Sequence, residues 1–216
     1  MARKLYYTLL ADGTSDKVLI HILTWLLQQH RAMWIIEPQW AEVGQLLLKK
    51  SPTLTAKIQA TLELYPCDLL FIHRDAERES LEKRVQEIRK AIEPLKNPPL
   101  YVCVIPVRMQ EAWLLFDESA IRQAAGNPMG REPIKLPSLK DIEREPNPKE
   151  ILHNLLRQAS GRSPRRLKNF SLGLATKSVA DEITDYSPLR SLSAFKILEQ
   201  EITVAIRHLE TRKLNP

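Results

Sequence analysis

The sequence contains few glycines and none of the glycine-rich motifs that bind nucleotides. Only six of its 216 residues are glycine, and neither G-x-x-x-x-G-K-[ST] nor G-x-G-x-x-G occurs. Such motifs cradle phosphates with backbone N–H groups at a strand-to-helix turn. The G-x-S-x-G pattern, which presents a nucleophilic serine, is missing as well. These absences exclude P-loop nucleotidases, Rossmann dehydrogenases and α/β-hydrolases.

Cysteines and long apolar runs are also scarce. The chain has two cysteines, Cys67 and Cys103, with no C-x-x-C pair, and its five histidines are scattered. This usage is typical of reduced thiols in a cytoplasmic protein and gives no zinc signature. No apolar run approaches the ~20 residues that cross a bilayer. Asp12 and Gly13 stand where a signal peptide would have its cleavage site. We therefore expect a cytoplasmic protein without a membrane segment.

The charge of the chain favours an anionic partner. Lys and Arg outnumber Asp and Glu, which gives a formal net charge of +6, and nucleic acid is the commonest partner of basic proteins. The densest basic stretch, GRSPRRLKN, holds four cations: Arg162, Arg165, Arg166 and Lys168. This stretch is either a solvated loop before a helix or a surface that contacts phosphates.

Four apolar runs alternate with amphipathic segments in the first half of the chain. The runs are predicted to be strands at residues 4–10, 33–43, 67–75 and 100–107. Helices are predicted between them, at about residues 14–30, 53–64 and 79–93. Pro38 interrupts the second run, which predicts an edge strand. The alternation predicts an α/β fold with a mainly parallel sheet and helices on both faces.

The second half of the chain is predicted to be mostly helical. After an α/β core of residues 1–126 comes a surface excursion at 127–148 that is rich in proline and charge. Residues 149–216 then form a helical C-terminal extension, which we expect to pack on the core. With 44% hydrophobic residues, the chain has the composition of an ordinary globular protein.

Acidic residues follow three of the strand-like runs. Asp12 follows the first run, Asp75 and Glu77 follow the third, and Glu111 comes just past the fourth. Because chemistry in an open α/β sheet collects beyond the carboxyl ends of the parallel strands, these carboxylates can converge on one crevice. Clustered carboxylates are how proteins hold hard divalent cations such as Mg²⁺ or Mn²⁺. The sequence therefore predicts a metal site at this edge of the sheet.

Structural roles compete with this interpretation for each acid after the first and third runs. Asp12 can serve as a turn residue before Gly13, and Asp16 can stabilise the start of the following helix through the helix dipole. Asp75 and Glu77 can belong to a charged turn. Alternatively, extended backbone would point both side chains the same way, so that they share one ion.

Glu111 lies in a different environment, because it opens the apolar segment EAWLLFD. A carboxylate buried among apolar side chains needs a partner, and the two candidates are Arg108 and a metal ion. Asp117 ends the segment and can cap the next helix. Trp113 is expected in the core.

The segments LLADGTSD, FIHRDAE and IPVRMQEAWLLFD together resemble the Toprim-like (Rossmannoid) fold. The closer resemblance is to a prokaryotic family of unknown function with that fold, distantly similar to the overcoming-lysogenization-defect nucleases. NPKEILHNLL, VADEITD and SLSAFKILEQEI look like the helical tail of that family, so the resemblance covers most of the chain. Toprim domains carry a glutamate after the first strand and an Asp-x-Asp pair after a later one. This chain has carboxylates at the corresponding positions, in Asp12 and in the Asp75–Glu77 pair. However, Asp12 is one methylene shorter than a glutamate, and Glu77 is one methylene longer than an aspartate.

The resemblance implies metal-assisted cleavage of phosphodiester bonds. Asp75, Glu77 and Glu111 would hold Mg²⁺ or Mn²⁺, and Asp12 would act as general base, general acid or further ligand. The four cations of the basic stretch would contact the nucleic-acid backbone without reading its sequence. Relatives of the fold often act beside a separate ATPase in phage defence, so such a partner is implied too.

Two other functions are compatible with the sequence. A non-catalytic module could keep the fold and bind nucleic acid or a partner protein. A phosphoacceptor domain would also place acids past its first and third strands, although it usually pairs acids after the first strand, and Asp12 has no acidic neighbour.

Overall fold

The computed structural model describes residues 3–43 and 52–212, without the side chain of Arg212. Residues 1–2, at the start of the predicted α/β core, lie outside these ranges, and so do residues 213–216, at the end of the predicted C-terminal extension. The chain forms two compact units, the first from residues 1–105 with 196–216 and the second from 106–195. No helix within the described ranges is long and apolar enough to cross a membrane.

The first unit is built on a four-stranded sheet in which all neighbouring strands are parallel. The strands are β1 (Lys4–Leu10), β2 (Ile35–Trp40), β3 (Leu69–His73) and β4 (Leu100–Val104). The predicted α/β class and parallel sheet are therefore confirmed. β2 is an edge strand, as Pro38 predicted, because proline has no N–H to donate to a further strand.

Helices connect the strands, and side-chain caps fix where two of them begin. A 3-10 turn (Thr14–Val18) leads into α1 (Leu19–His30), and α2 (Leu54–Leu64) and α3 (Leu81–Ile92) follow β2 and β3. The hydroxyl of Thr53 accepts a hydrogen bond from Ala56 N at 3.2 Å, and Ser80 accepts one from Lys83 N at 3.2 Å. These bonds satisfy N–H groups that have no partner within the helix.

Alternation along β1 explains how both faces of the sheet are covered. The hydroxyl of Tyr7 lies 2.7 Å from Thr24 of α1, whereas Thr8 points the other way and donates to the backbone oxygen of Tyr65, after α2, at 3.1 Å. The second face also packs against α2 and α3 in an apolar cluster. Its members include Leu10, Ile58, Leu70, Ile72, Ile88, Ile92 and Ile105. The predicted helices on both faces are present.

The strand order β2-β1-β3-β4 creates a switch point. The connection from β1 leads to β2 on one side, and the chain then returns to place β3 on the other side of β1. In open α/β sheets, ligands bind in the crevice beyond the carboxyl ends of the two strands where the order reverses. The carboxyl ends of β1 and β3, at Leu10 and His73, therefore mark the expected site.

The second unit is helical. Its helices are a 3-10 turn (Gln110–Leu114), α4 (Glu118–Ala124), α5 (Leu139–Ile142), α6 (Pro148–Ala159), α7 (Pro164–Leu167), α8 (Leu172–Glu182) and a 3-10 turn (Ser187–Ser191). The long α9 (Ser193–Arg212) begins here and continues in the first unit. Trp113 is fully buried and packs edge-on against Phe195, with ring centroids 5.5 Å apart. Asp117 caps α4 by accepting from Ala120 N at 2.9 Å, as predicted.

The outer edge of β4 is covered by α9 within the first unit. Cys103 N–H donates to Glu201 Oε2 at 3.1 Å, which satisfies a backbone donor on the edge strand. Both residues line a cavity of 640 Å³ together with Tyr101 and Arg89. Burial raises the pKa of Glu201, although the hydrogen bond from Cys103 and the charge of Arg89 oppose the rise.

Replacing Glu201 with glutamine should stabilise the protein more at neutral than at acidic pH. Above the ordinary glutamate pKa of 4.5, the unfolded chain releases this proton before the folded protein does, so wild-type stability falls as pH rises toward the raised value. Glutamine does not titrate, so the variant avoids this loss of stability, and its side-chain oxygen can still accept the hydrogen bond from Cys103 N–H. Urea unfolding at about pH 4 and pH 7 measures the difference.

The matched control is Glu132→Gln, which removes one carboxylate from an exposed position. Its stability relative to wild type should change little between the two pH values. A difference between Glu201→Gln and wild type that does not grow with pH would contradict the argument.

Candidate functional site

A cavity of 350 Å³ lies at the switch point between β1 and β3. Its lining consists of four acids, two arginines, a histidine and a glycine, and these are Asp12, Asp16, Asp75, Glu77, Arg74, Arg84, His73 and Gly13. Three of the predicted site residues, Asp12, Asp75 and Glu77, are therefore brought together. Tens of residues separate Asp12 from the other two, and the parallel pairing of β1 with β3 closes that gap.

The turn after β1 is held by Asp16. Its carboxylate accepts hydrogen bonds from Gly13 N at 2.9 Å and from the Ser15 hydroxyl at 3.1 Å. Asp16 is only 6% exposed, so it lies deep in the cavity wall. The sequence favoured a helix-start role for Asp16 over a ligand role, and Asp16 was not among the predicted site residues. The structure confirms that position and adds the residue to the cavity.

Asp12 is paired with two cations from different elements. Lys57 Nζ of α2 donates to Asp12 Oδ1 at 2.6 Å, and Arg74 Nη1, just past β3, donates to Asp12 Oδ2. Burial acts to raise the pKa of Asp12, but the hydrogen bond from Lys57 and the charge of Arg74 outweigh it, and the pKa lies below its ordinary value. Asp12 is consequently ionised at neutral pH.

Glu87 of α3 links the two cavity arginines. Its carboxylate accepts from Arg74, with Nη2 and Oε1 2.9 Å apart, and from Arg84 Nη1 at 2.8 Å. Arg84 Nη2 also lies 3.6 Å from Glu77 Oε2. Charges of opposite sign thus alternate along the cavity wall, and Glu87 orients both guanidinium groups. No local sequence signal distinguishes these residues, although Arg74 adjoins the predicted Asp75.

His73, the last residue of β3, lies beneath the acids. It is 3% exposed; Nδ1 is 3.0 Å from the backbone oxygen of Val104, and Nε2 is 3.4 Å from Asp75 Oδ1 and 3.9 Å from Asp16 Oδ2. Burial lowers the pKa of His73, although the charge of Asp16 acts in the opposite direction. His73 falls within the predicted strand 67–75 and was not among the predicted site residues.

The Asp75–Glu77 pair does not have the extended backbone that the sequence suggested. Glu77 has a φ of +52°, in the left-handed region, so the alternation rule does not apply between the two side chains. Both still line the cavity. The Asp75 side chain is 22% exposed and that of Glu77 is 66% exposed, so Glu77 stands at the mouth.

Glu111 belongs to the second unit, in the 3-10 turn Gln110–Leu114. Its burial was predicted and is confirmed, since only 1% is exposed. Lys149 Nζ of α6 lies 3.6 Å from Glu111 Oε1, an ion pair that partly offsets the cost of burying the carboxylate. The predicted partners of Glu111 were Arg108 and a metal ion, and Lys149 was missed because nothing local signals that it is close in space.

The four cations of the basic stretch form an exposed surface of the second unit. Arg165 and Arg166 lie in the single-turn helix α7, and Lys168 follows it. The Arg162 guanidinium stacks on Phe170, 4.7 Å from the ring centroid, which fixes one cation and leaves the others facing solvent. The stretch therefore forms a basic surface as the sequence suggested, and its role as a nucleic-acid contact stays a prediction.

The chemistry of the first-unit cavity suits a hard divalent cation, because its acids offer carboxylate oxygens. Among the residues that the structure describes, no group of three or more His, Cys, Asp or Glu side chains is placed so that it could hold a metal ion. Binding would therefore require a rearrangement, such as exchange of Lys57 and Arg74 for the cation at Asp12. The chain matches no protein-family model, no curated protein and no solved structure.

Proposed function

We propose that this protein is a Mg²⁺- or Mn²⁺-dependent nuclease that cleaves phosphodiester bonds in the cavity between β1 and β3. The observation that carries the proposal is the mixed lining of that cavity, where four acids and two arginines meet at the switch point of a parallel sheet. Carboxylates can bind the cation and guanidinium groups can bind phosphate oxygens. The lining therefore offers both the metal ligands and the phosphate contacts that a phosphodiester site needs.

Asp75 and Glu77 would hold the cation, as the Toprim-like resemblance implies. When bound, the cation lowers the pKa of a water molecule and neutralises charge on the phosphate. Asp12 is better suited to be a metal ligand than a general base. A general base works best with a pKa near the working pH, and the pKa of Asp12 is held low. The role of Glu111 as a further ligand stays a prediction.

Arg74 and Arg84 would bind and orient the phosphate. Glu87 presents both guanidinium groups from α3, and guanidinium pairs with phosphate oxygens in a fixed geometry. Moving these arginines from Asp12 and Glu77 to a phosphate would also release carboxylate oxygens for the cation. Substrate and cation binding would then support each other.

The direct test is cleavage of labelled DNA and RNA by the purified protein. Activity should disappear with a chelator and return when excess Mg²⁺ or Mn²⁺ is added. Cleavage that persists in the chelator would contradict the proposal, and so would a preparation that binds nucleic acid yet never cleaves it.

The basic surface of the second unit is the proposed contact for the nucleic-acid backbone. Replacing Arg165 and Arg166 together with glutamine should weaken binding at low salt and make the slope of log affinity against log salt shallower by about 1.4–1.8. Fluorescence anisotropy across a salt series measures both. The control, Lys135→Gln with Lys140→Gln, removes the same charge elsewhere in the unit and should keep the wild-type slope.

A non-catalytic binding module is the second candidate, and the pairing of Asp12 favours it. Because Lys57 and Arg74 already neutralise this carboxylate, the protein does not need a cation to stabilise it. Such a module would bind nucleic acid with the same salt dependence and show no cleavage with any metal. An ATPase partner in phage defence, implied by the resemblance alone, fits either candidate, and the free Cys67 and Cys103 are compatible with a cytoplasmic location.

A further inference from the structure

Arg162 is a cation of the basic surface that lies over an aromatic ring. Its guanidinium carbon is 4.7 Å from the ring centroid of Phe170, a distance at which the ring attracts the positive charge. Phe170 is half-buried and Arg162 is exposed. The ring therefore supports the flat guanidinium group from one side and leaves it accessible to a ligand from solvent.

The turn that ends α6 holds the backbone of Arg162 in place. Gly161 has a φ of +59°, in the left-handed region that favours glycine, and Arg162 N–H donates to Ser160 Oγ at 3.3 Å. Asn127 Nδ2 ties this turn to the segment after α4 by donating to the Ala159 backbone oxygen at 2.9 Å. Arg162 is consequently fixed at its backbone as well as at its guanidinium group.

Arg162 has no acidic partner in the part of the chain that the structure describes, and the same holds for the other three cations of the basic surface. Arg122 of the same unit shows the contrast, since its Nη2 lies 2.7 Å from Glu118 Oε1. A guanidinium group held against a ring without a carboxylate keeps its hydrogen-bond donors and its charge for a ligand. Such a group suits a ligand that combines negative charge with a flat π system.

Nucleic acid supplies both features. Its phosphates match the cations of the basic surface, and its unpaired bases stack on aromatic side chains and on arginine guanidinium planes. Within a duplex the bases stack on one another, so their faces are not available to a surface side chain. Backbone contacts alone would bind any strand, whereas a stacking contact discriminates between paired and unpaired regions.

We infer that an unpaired base stacks on the guanidinium group of Arg162, which Phe170 supports from the opposite side. The inference rests on the proposed function, because it names the class of substrate: nucleic acid with a single-stranded region, as a free strand or a loop. Arg165, Arg166 and Lys168 contact the neighbouring phosphates. Base sequence has little influence on this contact, since every base has a π face.

The first experiment compares two labelled strands of equal length on the wild-type protein in chelator. One strand is oligothymidylate, and the other carries the same phosphates on abasic sugars. Fluorescence anisotropy should show at least about fivefold tighter binding of the strand with bases, because only that strand can stack. Equal affinities, or no binding of either strand at low salt, would overturn the inference.

The second experiment replaces Arg162 with lysine, which keeps the charge and removes the planar group. The preference for the strand with bases should disappear, while the slope of log affinity against log salt stays at the wild-type value. Phe170→Leu, which removes the ring and keeps an apolar side chain under Arg162, should reduce the same preference. Circular dichroism checks that both variants fold. A preference that survives both substitutions would overturn the inference.

The matched control is Arg144→Lys, because the Arg144 side chain is 82% exposed in the same unit and lies 3.5 Å from Asp141. This variant should bind both strands like wild type. Affinity for a duplex of equal length should be the same in Arg162→Lys and in wild type, because phosphate contacts alone hold a duplex. A duplex affinity that falls as much as the single-strand affinity would show a general role of Arg162 and overturn the stacking contact.

Failure of this inference and failure of the proposed function give different results. Base-dependent binding by a protein that cleaves no nucleic acid would retain the stacking contact and overturn the nuclease. Metal-dependent cleavage together with equal affinity for the two strands would retain the nuclease and overturn the stacking contact.

Discussion

Replacing Asp75 with asparagine should reduce metal-dependent cleavage at least about 100-fold, since the cation supplies several kcal/mol of transition-state stabilisation. The amide removes a negative charge from the cavity that holds Asp12, Asp16 and Glu77, and a neutral oxygen binds a hard cation more weakly. Nucleic-acid affinity should change little, because Asp75 itself makes none of the proposed phosphate contacts, which come from Arg74, Arg84 and the basic surface. Cleavage rates at saturating Mg²⁺ and anisotropy in chelator measure the two properties.

Asp68→Asn is the matched control for this substitution. Asp68 lies just before the opposite end of β3 and accepts a hydrogen bond from Tyr6 N at 3.0 Å, which an amide oxygen can replace. The control should cleave like wild type. Equal cleavage by Asp75→Asn and wild type would remove Asp75 from the proposed site, and an equal loss in both variants would show a general effect of altering β3.

Replacing Phe71 with alanine should destabilise the protein by about 3–5 kcal/mol. Phe71 is fully buried at the centre of β3 and packs edge-on against Tyr7, with ring centroids 5.2 Å apart. Removing the ring leaves a cavity between the two strands that carry the site, and neighbours in a packed core relax only partly. Chemical denaturation at neutral pH measures the change in the free energy of unfolding.

Phe71→Leu keeps most of the volume and should cost under about 1.5 kcal/mol. The leucine variant keeps the comparison informative if the alanine variant does not fold. A loss below about 1 kcal/mol in the alanine variant would contradict the packing argument. A normal Mn²⁺ affinity in the folded leucine variant would show that packing and ligand geometry are separable.

Both functional proposals depend on the charge balance of the cavity. Positive and negative groups alternate from Lys57 through Asp12 and Arg74 to Glu87 and beyond. In this arrangement the protein's own cations occupy the carboxylates, and an entering phosphate would compete for the arginines. The proposed function therefore predicts that cation and phosphate binding support each other, which a purely acidic pocket would not do.

Local patterns determined the elements and the approximate position of the site. Apolar runs marked the strands, and the run of β3 is uninterrupted from Leu69 to Ile72 because a strand covered on both faces needs no polar alternation. Pro38 marked the edge strand, since a residue without N–H cannot donate to a further strand. Asp12, Asp75 and Glu77 were predicted to converge because they follow strand ends, where the topology of a parallel sheet collects side chains, and all three line the cavity there.

Only the tertiary structure decided which of these residues meet and how they are oriented. The positive φ of Glu77, the bridge from Glu87 to two arginines and the placement of His73 Nε2 between carboxylates have no local signature. Sequence periodicity reports which face of an element is buried, because neighbours three or four residues apart share that face. It does not report which elements become neighbours, because that follows from the order of strands and the packing of helices across long separations in the chain.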